Sequence, residues 1–158
     1  MPVQATTPQA VRATVSGLIE AITPSHTETS EYAWNRLDDN MDPRGCGVRN
    51  FQVLTGLAIM EGDGMFGCDT IAKRLELVIR VSYSGLIGND FSDTVNSDQS
   101  DIWRALHPLP GGLGTPANGI INFDDFLLIE PDEDPDIGEG GSSNLTVDFV
   151  TVLHYHSD

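Results

Sequence analysis

Three groups of residues in this chain have types and spacings that could do chemistry. Asp132, Asp134 and Asp136 alternate within the loop Glu130-Pro-Asp-Glu-Asp-Pro-Asp-Ile-Gly-Glu-Gly-Gly141. Clustered carboxylates in a loop can chelate a hard cation such as calcium. The pattern departs from a helix-loop-helix calcium site: its glycine comes one place late, Pro135 intervenes, and both flanks read as strands. A weak calcium site of another kind stays open for the three aspartates. The simpler reading is a solvated acidic surface formed with Glu130, Glu133 and Glu139. His154 and His156 share one face of a strand, but a metal needs three or four converging ligands and no third partner is evident. Solvent-facing histidines are the expectation there. Gly112-Leu-Gly114-Thr-Pro-Ala117 has the glycine spacing of a dinucleotide-binding turn. That turn requires a strand before it and a helix starting within it, and here a helix precedes it.

Other reactive patterns are weaker still. Cys46 and Cys68 lie in glycine-flanked, loop-like settings too far apart for a zinc pattern. They read as free thiols in a reducing compartment, with a disulfide as the alternative. The sequence contains no Gly-x-Ser-x-Gly elbow and no Gly-Lys-Ser/Thr phosphate loop. The expectation is therefore a protein without catalytic residues, cofactor or assigned metal site.

Composition narrows the partners. The 158 residues carry 8 Lys plus Arg against 24 Asp plus Glu, a formal net charge of -16. Such a field argues against general affinity for nucleic acid or anionic membrane. The imbalance is polarised, because Arg104 is the last basic residue. No stretch is long and apolar enough to span a bilayer, and the opening Met-Pro-Val-Gln-Ala-Thr-Thr lacks the pattern of a secretory signal. Asn144-Leu-Thr146 matches a glycosylation acceptor, but it opens a strand and reads as coincidence. The length fits one domain over residues 1–158.

The elements that must position these residues follow from periodicity. Thr7-Pro8 reads as a helix cap and first helical residue, and Val11, Val15, Leu18, Ile19 and Ile22 recur at helical spacing up to Thr23-Pro24. Residues 25–50 are polar and partly extended, with Trp34 and Leu37 as anchors. Phe51–Met60 reads as a strand in which Gly56 marks a bulge or a close backbone approach. Arg74–Tyr83 alternates strictly, placing Leu75, Leu77, Ile79, Val81 and Tyr83 on one face. A polar segment, Asn89–Ser97, leads to a second helix from Asp98 to about His107, with Asp98 and Asp101 in its first turn. Gly119–Glu130 reads as a third strand, and Asn144–His156 as the last, with Leu145, Val147, Phe149, Leu153 and Tyr155 on one face. The expected fold is α+β, a mainly antiparallel sheet packed against two helices in the order α-β-β-α-β-β.

This order of elements, with the chain's size and acidity, resembles the tail-terminator family of tailed bacteriophages, small proteins that cap the end of the tail tube. The resemblance covers most of the chain: the helix from Pro8 to Ile22, the strand from Arg74 to Tyr83, the helix from Asp98 to His107, and the closing strands around Ile121–Ile129 and Leu145–His156. It is a likeness of pattern with no sharp motif, and it carries no catalytic residues. It implies a virion structural protein assembled in the host bacterial cytoplasm into a homo-oligomeric, hexameric ring. The ring's implied neighbours are the tail tube protein and the head-tail connector or neck protein. DNA would pass through without specific binding, since carboxylates repel a polyanion where Lys and Arg would hold it. The residues leave a different class open: a monomeric acidic binding module that takes calcium through the loop from Glu130 to Gly141.

Overall fold

The structure is a computed structural model that describes residues 7–27, 29–37, 48–60, 71–84, 89–107, 120–123, 128–131 and 144–157. Two helices and six strands are described: α1 (Pro8–Glu20), β1 (Trp34–Arg36), β2 (Arg49–Met60), β3 (Ile71–Ser84), α2 (Asn89–Leu106), β4 (Ile120–Phe123), β5 (Leu128–Pro131) and β6 (Asn144–Ser157). The fold is α+β, as expected.

Helix α1 starts where its cap dictates. Thr7 is extended and its side chain accepts a hydrogen bond from the Ala10 amide at 3.3 Å, and Pro8 occupies a first-turn position. Val11, Val15 and Ile19 bury the stripe that faces the sheet. The helix ends at Glu20, so Ile22 packs against the core from beyond its last turn.

The sheet has the order β1-β2-β3-β6-β4, with β5 also on β6. Its centre is the antiparallel pair β3 and β6, in unbroken register from Ile71 opposite Ser157 to Ser84 opposite Asn144. Odd-numbered residues of both strands face the helices. Leu75, Leu77, Ile79 and Val81 on β3 are fully buried beside Val147, Phe149, Leu153 and Tyr155 on β6. Thr151 takes the remaining place on that face of β6, opposite Leu77. Strand β2 adds Phe51 and Val53, and α2 closes the core with Val95, Ile102 and Leu106.

Three expectations need correction. One more strand precedes α2 than expected, because Trp34–Arg36 forms a short strand parallel to β2 in a sheet that is otherwise antiparallel. The expected strand from Gly119 to Glu130 is instead two pieces lying end to end along β6. Phe123 pairs with Leu153 and Leu128 with Val150, five positions on one side against three on the other, so a single ladder cannot continue. The largest correction is α2, which begins at Asn89 rather than Asp98. Phe91, Val95, Asp98, Ile102 and Leu106 form its inward stripe at steps of three and four residues, so Asp98 and Asp101 lie mid-helix and buried.

Gly56 does both jobs expected of it. The register between β2 and β3 slips by one residue between Thr55 and Ala58, a β-bulge. A Cβ at Gly56 would come within 3.1 Å of the Glu76 Cβ.

The two faces of β3 should respond differently to truncation. Leu77→Ala removes a fully buried side chain and should cost about 2–5 kcal/mol through lost transfer energy and a cavity. Glu76→Ala, on the exposed face, should stay within about 0.5 kcal/mol. Urea denaturation of both variants checks this, and equal losses would mean the faces are misassigned.

Candidate functional site

The densest polar cluster among the described residues is built around Arg49, the first residue of β2, whose side chain is fully buried. Register places Arg49 opposite Tyr83 on β3, so both side chains project into the helix-covered face. Helix α2 brings Asp98 to the same point. Arg49 Nε donates to Asp98 Oδ2 at 2.7 Å, with both side chains at 0 % exposure. Tyr83 OH donates to the same oxygen at 2.8 Å. The rest of the guanidinium holds the segment after α1: Nη1 donates to the Thr29 and Tyr32 carbonyls, each at 2.9 Å, and Nη2 donates to Thr29 Oγ1 at 2.6 Å. Trp34 lies with its ring centroid 5.7 Å from the guanidinium carbon and packs edge-on against Phe51.

One helical turn further on, Asp101 extends the clasp. Its Oδ2 accepts from the Ser25 amide at 2.9 Å, and its Oδ1 accepts from Arg104 at 3.2 Å. Arg49, Asp98 and Asp101 therefore tie Ser25, Thr29 and Tyr32 to β2, β3 and α2. A planar guanidinium with five donors suits this task, because two backbone carbonyls, a hydroxyl and a carboxylate must be served from one centre.

The electrostatics of the cluster are those of a sealed ion pair. Burial pushes the Asp98 carboxyl above its ordinary range, and the hydrogen bond and charge of Arg49 and the Tyr83 hydroxyl pull it back only in part. Burial, then the neighbouring Asp98, raises the Tyr83 phenol well above its ordinary value. Asp98 Oδ1 and Thr94 Oγ1, on one helix face, are buried without a hydrogen-bond partner among the described residues, consistent with desolvation prevailing over pairing. Arg49 and Tyr83 meet on one oxygen of this carboxylate, and its side chain is closed to solvent.

Two surfaces face outward. The even-numbered face of the sheet, opposite the helices, carries a row in direct register, Leu54 beside Val78 beside Val150. All three are half-buried. Val152 follows on β6, and Arg74, Glu76 and Arg80 are exposed along β3. Arg80 makes a two-point contact with Asp148, at 2.9 and 3.0 Å. No helix or strand among the described residues packs over this face. The second surface is the outer side of α2, where a cleft of about 340 Å³ is lined by Gln99, Ser100, Trp103 and Arg104. Trp103 is among the exposed large hydrophobic residues and its ring lies 5.1 Å from that of His107, tilted by 35°.

No protein-family model matches the chain, and no curated protein matches it.

Of the residues singled out in the sequence, Asp132, Glu133, Asp134, Asp136, Glu139, Cys46, Cys68 and the Gly112–Ala117 turn lie outside the described residues. Glu130 belongs to β5, with its backbone paired to Asp148. His154 is half-buried on the even face of β6, its backbone paired with Arg74 and Asn122. Among the described residues, no group of three or more His, Cys, Asp or Glu side chains could hold a metal. Sequence reasoning passed over Arg49 altogether and placed Asp98 at a helix end. A signal was present: Asp98 sits at i+3 from Val95 and i−4 from Ile102, in the middle of an apolar stripe.

The cluster makes two predictions. Arg49→Ala leaves a buried carboxylate without its cation and should cost about 3–5 kcal/mol, read as a fall in denaturation midpoint. Asp98, with its folded pKa raised above the ordinary 3.8, contributes stability that is fully present below that value and lost as pH rises through the raised one. The melting temperature of the wild type should therefore gain on that of Asp98→Asn as pH falls across that window. A constant gap between the two proteins would show that Asp98 does not titrate as its burial requires.

Proposed function

We infer that this chain is a non-enzymatic structural virion protein of the tail-terminator kind, which assembles with copies of itself into a ring. The ring, hexameric by the family resemblance, would cap the tail tube and join it to the head connector or neck protein, in particles assembled in the bacterial cytoplasm. The observation that carries this reading is the one-sidedness of the fold. Both helices cover the odd face of the sheet, while the even face presents the register row Leu54, Val78 and Val150 with no described element over it. A half-buried apolar row is a surface suited to protein contact.

Charge supports the same role. A net charge of -16 keeps DNA from adhering to the lumen of a ring through which it must move, because the counterion release that drives DNA binding requires Lys and Arg. The buried Arg49–Asp98 pair fits a subunit that must keep one shape under load rather than a catalyst that must admit substrate.

The test is solution mass across a salt series, with and without purified tail tubes. Subunits of this charge repel at long range, so assembly should strengthen as salt shortens the screening length from about 30 Å at 0.01 M to about 8 Å at 0.15 M. A strict monomer under every condition, with no binding to tubes or connectors, sinks the reading. A calcium-dependent rise in melting temperature, lost in Asp134→Asn, would favour the monomeric binding module instead.

A further inference from the structure

We infer that Cys46 and Cys68 cannot pair with each other inside one folded chain, so that a disulfide at either thiol joins the chain to a second molecule. The sequence leaves an internal disulfide open, because the two cysteines are near enough along the chain for a short loop to close. The register of the sheet decides against it.

Both cysteines lie outside the described residues, but each is tethered to a described residue by a few peptide units. Cys46 is two positions before Val48, whose carbonyl accepts a hydrogen bond from the Ser84 amide at 3.0 Å. That contact fixes Val48 beside the last residue of β3. Cys68 is three positions before Ile71, the residue with which β3 begins. The whole 14-residue length of β3 therefore stands between the two tethers. At 3.2–3.4 Å per residue, a strand of that length spans about 43 Å. It does not fold back to shorten the span, since every residue from Ile71 to Ser84 is paired in register with β6.

Chain reach does not close the gap. An extended chain advances at most about 3.6 Å per residue, which keeps Cys46 within about 7 Å of Val48 and Cys68 within about 11 Å of Ile71. With both tethers stretched toward each other, the two Cα atoms are still about 20 Å apart, against an upper limit of about 7 Å for a disulfide.

The consequence is chemical. When a protein thiolate attacks an added disulfide such as oxidised glutathione, it bonds to one glutathione sulfur and the other leaves as a thiolate. A second thiol of the same chain, where one is near, then attacks that mixed disulfide, displaces the glutathione and closes an internal bridge. Here the second thiol is out of range. The reaction stops at the mixed disulfide or passes to a thiol of another molecule.

Two measurements with oxidised glutathione test this. After the folded protein is incubated with it, monomers isolated on a non-reducing gel should carry free thiols or glutathione adducts. Their digests should hold no peptide joining Cys46 to Cys68. A joined peptide in monomers that keep the native melting transition overturns the inference. In urea, where β3 no longer holds the tethers apart, the same reagent should close the bridge. Bridged monomers transferred out of urea should then lack the native melting transition until a reductant is added. Recovery of that transition with the bridge intact also overturns the inference.

Discussion

Everything else in the fold is arranged around the burial of Arg49. A guanidinium is stable in an interior only if its charge is matched and its donors are met. The surrounding chain supplies those partners from four places: Asp98 on α2, the carbonyls of Thr29 and Tyr32, the Thr29 hydroxyl, and the face of Trp34. Each partner fixes an element that apolar packing alone would leave free to slide. A hydrophobic stripe tolerates a helix shifted by one turn along a flat sheet, whereas a 2.7 Å contact between two buried charges does not. The pair is best understood as setting register and orientation, with net stability left to the apolar core.

The core and the cluster divide the sheet between them. Leu75, Leu77 and Ile79 on β3 pack with Phe149 and Leu153 on β6, while the Tyr83 end of β3 is polar and tied to α2. The bulge at Gly56 lies within β2, where the backbone passes close to the Glu76 side chain. Strong local twist at a bulge lets a long hairpin curve around its helices. The even face carries Arg74, Glu76 and Arg80 exposed beside the apolar row.

Where sequence and structure agree, one periodicity was uninterrupted. The strict alternation of Arg74–Tyr83 and the capped stripe of α1 were legible because the inward positions are apolar apart from the aromatic Tyr83 and the small Ser16. Helix α2 was half legible for the opposite reason. Its inward stripe includes Thr94 and Asp98, and a carboxylate at a core position looks like a helix end unless its cation is known. That cation lies 49 residues away on β2, in a stretch that itself reads as a polar loop. Buried ion pairs hide in a single sequence, since each half disguises the other. The same holds for the short strand at Trp34, whose parallel pairing with Arg49–Phe51 joins segments that show no alternation. The outward surfaces were hidden too, because an exposed Trp103 and a buried Ile102 are indistinguishable by type.

The place of β6 in the sheet governs how the chain can reach its fold during synthesis. It pairs with β3 along one edge and with β4 and β5 along the other, so it is an interior strand made from residues 144–157. Pairs such as Ile71 with Ser157 span most of the second half of the sequence. Contacts this distant are slow to form, because loop closure is lost before any pairing is gained. On the ribosome, a chain that has emerged only as far as α2 therefore carries β3 with one edge unmet and its apolar face incompletely covered. Such an edge is a template for any other strand nearby. That edge stays open until residues 144–157 have emerged and paired with β3.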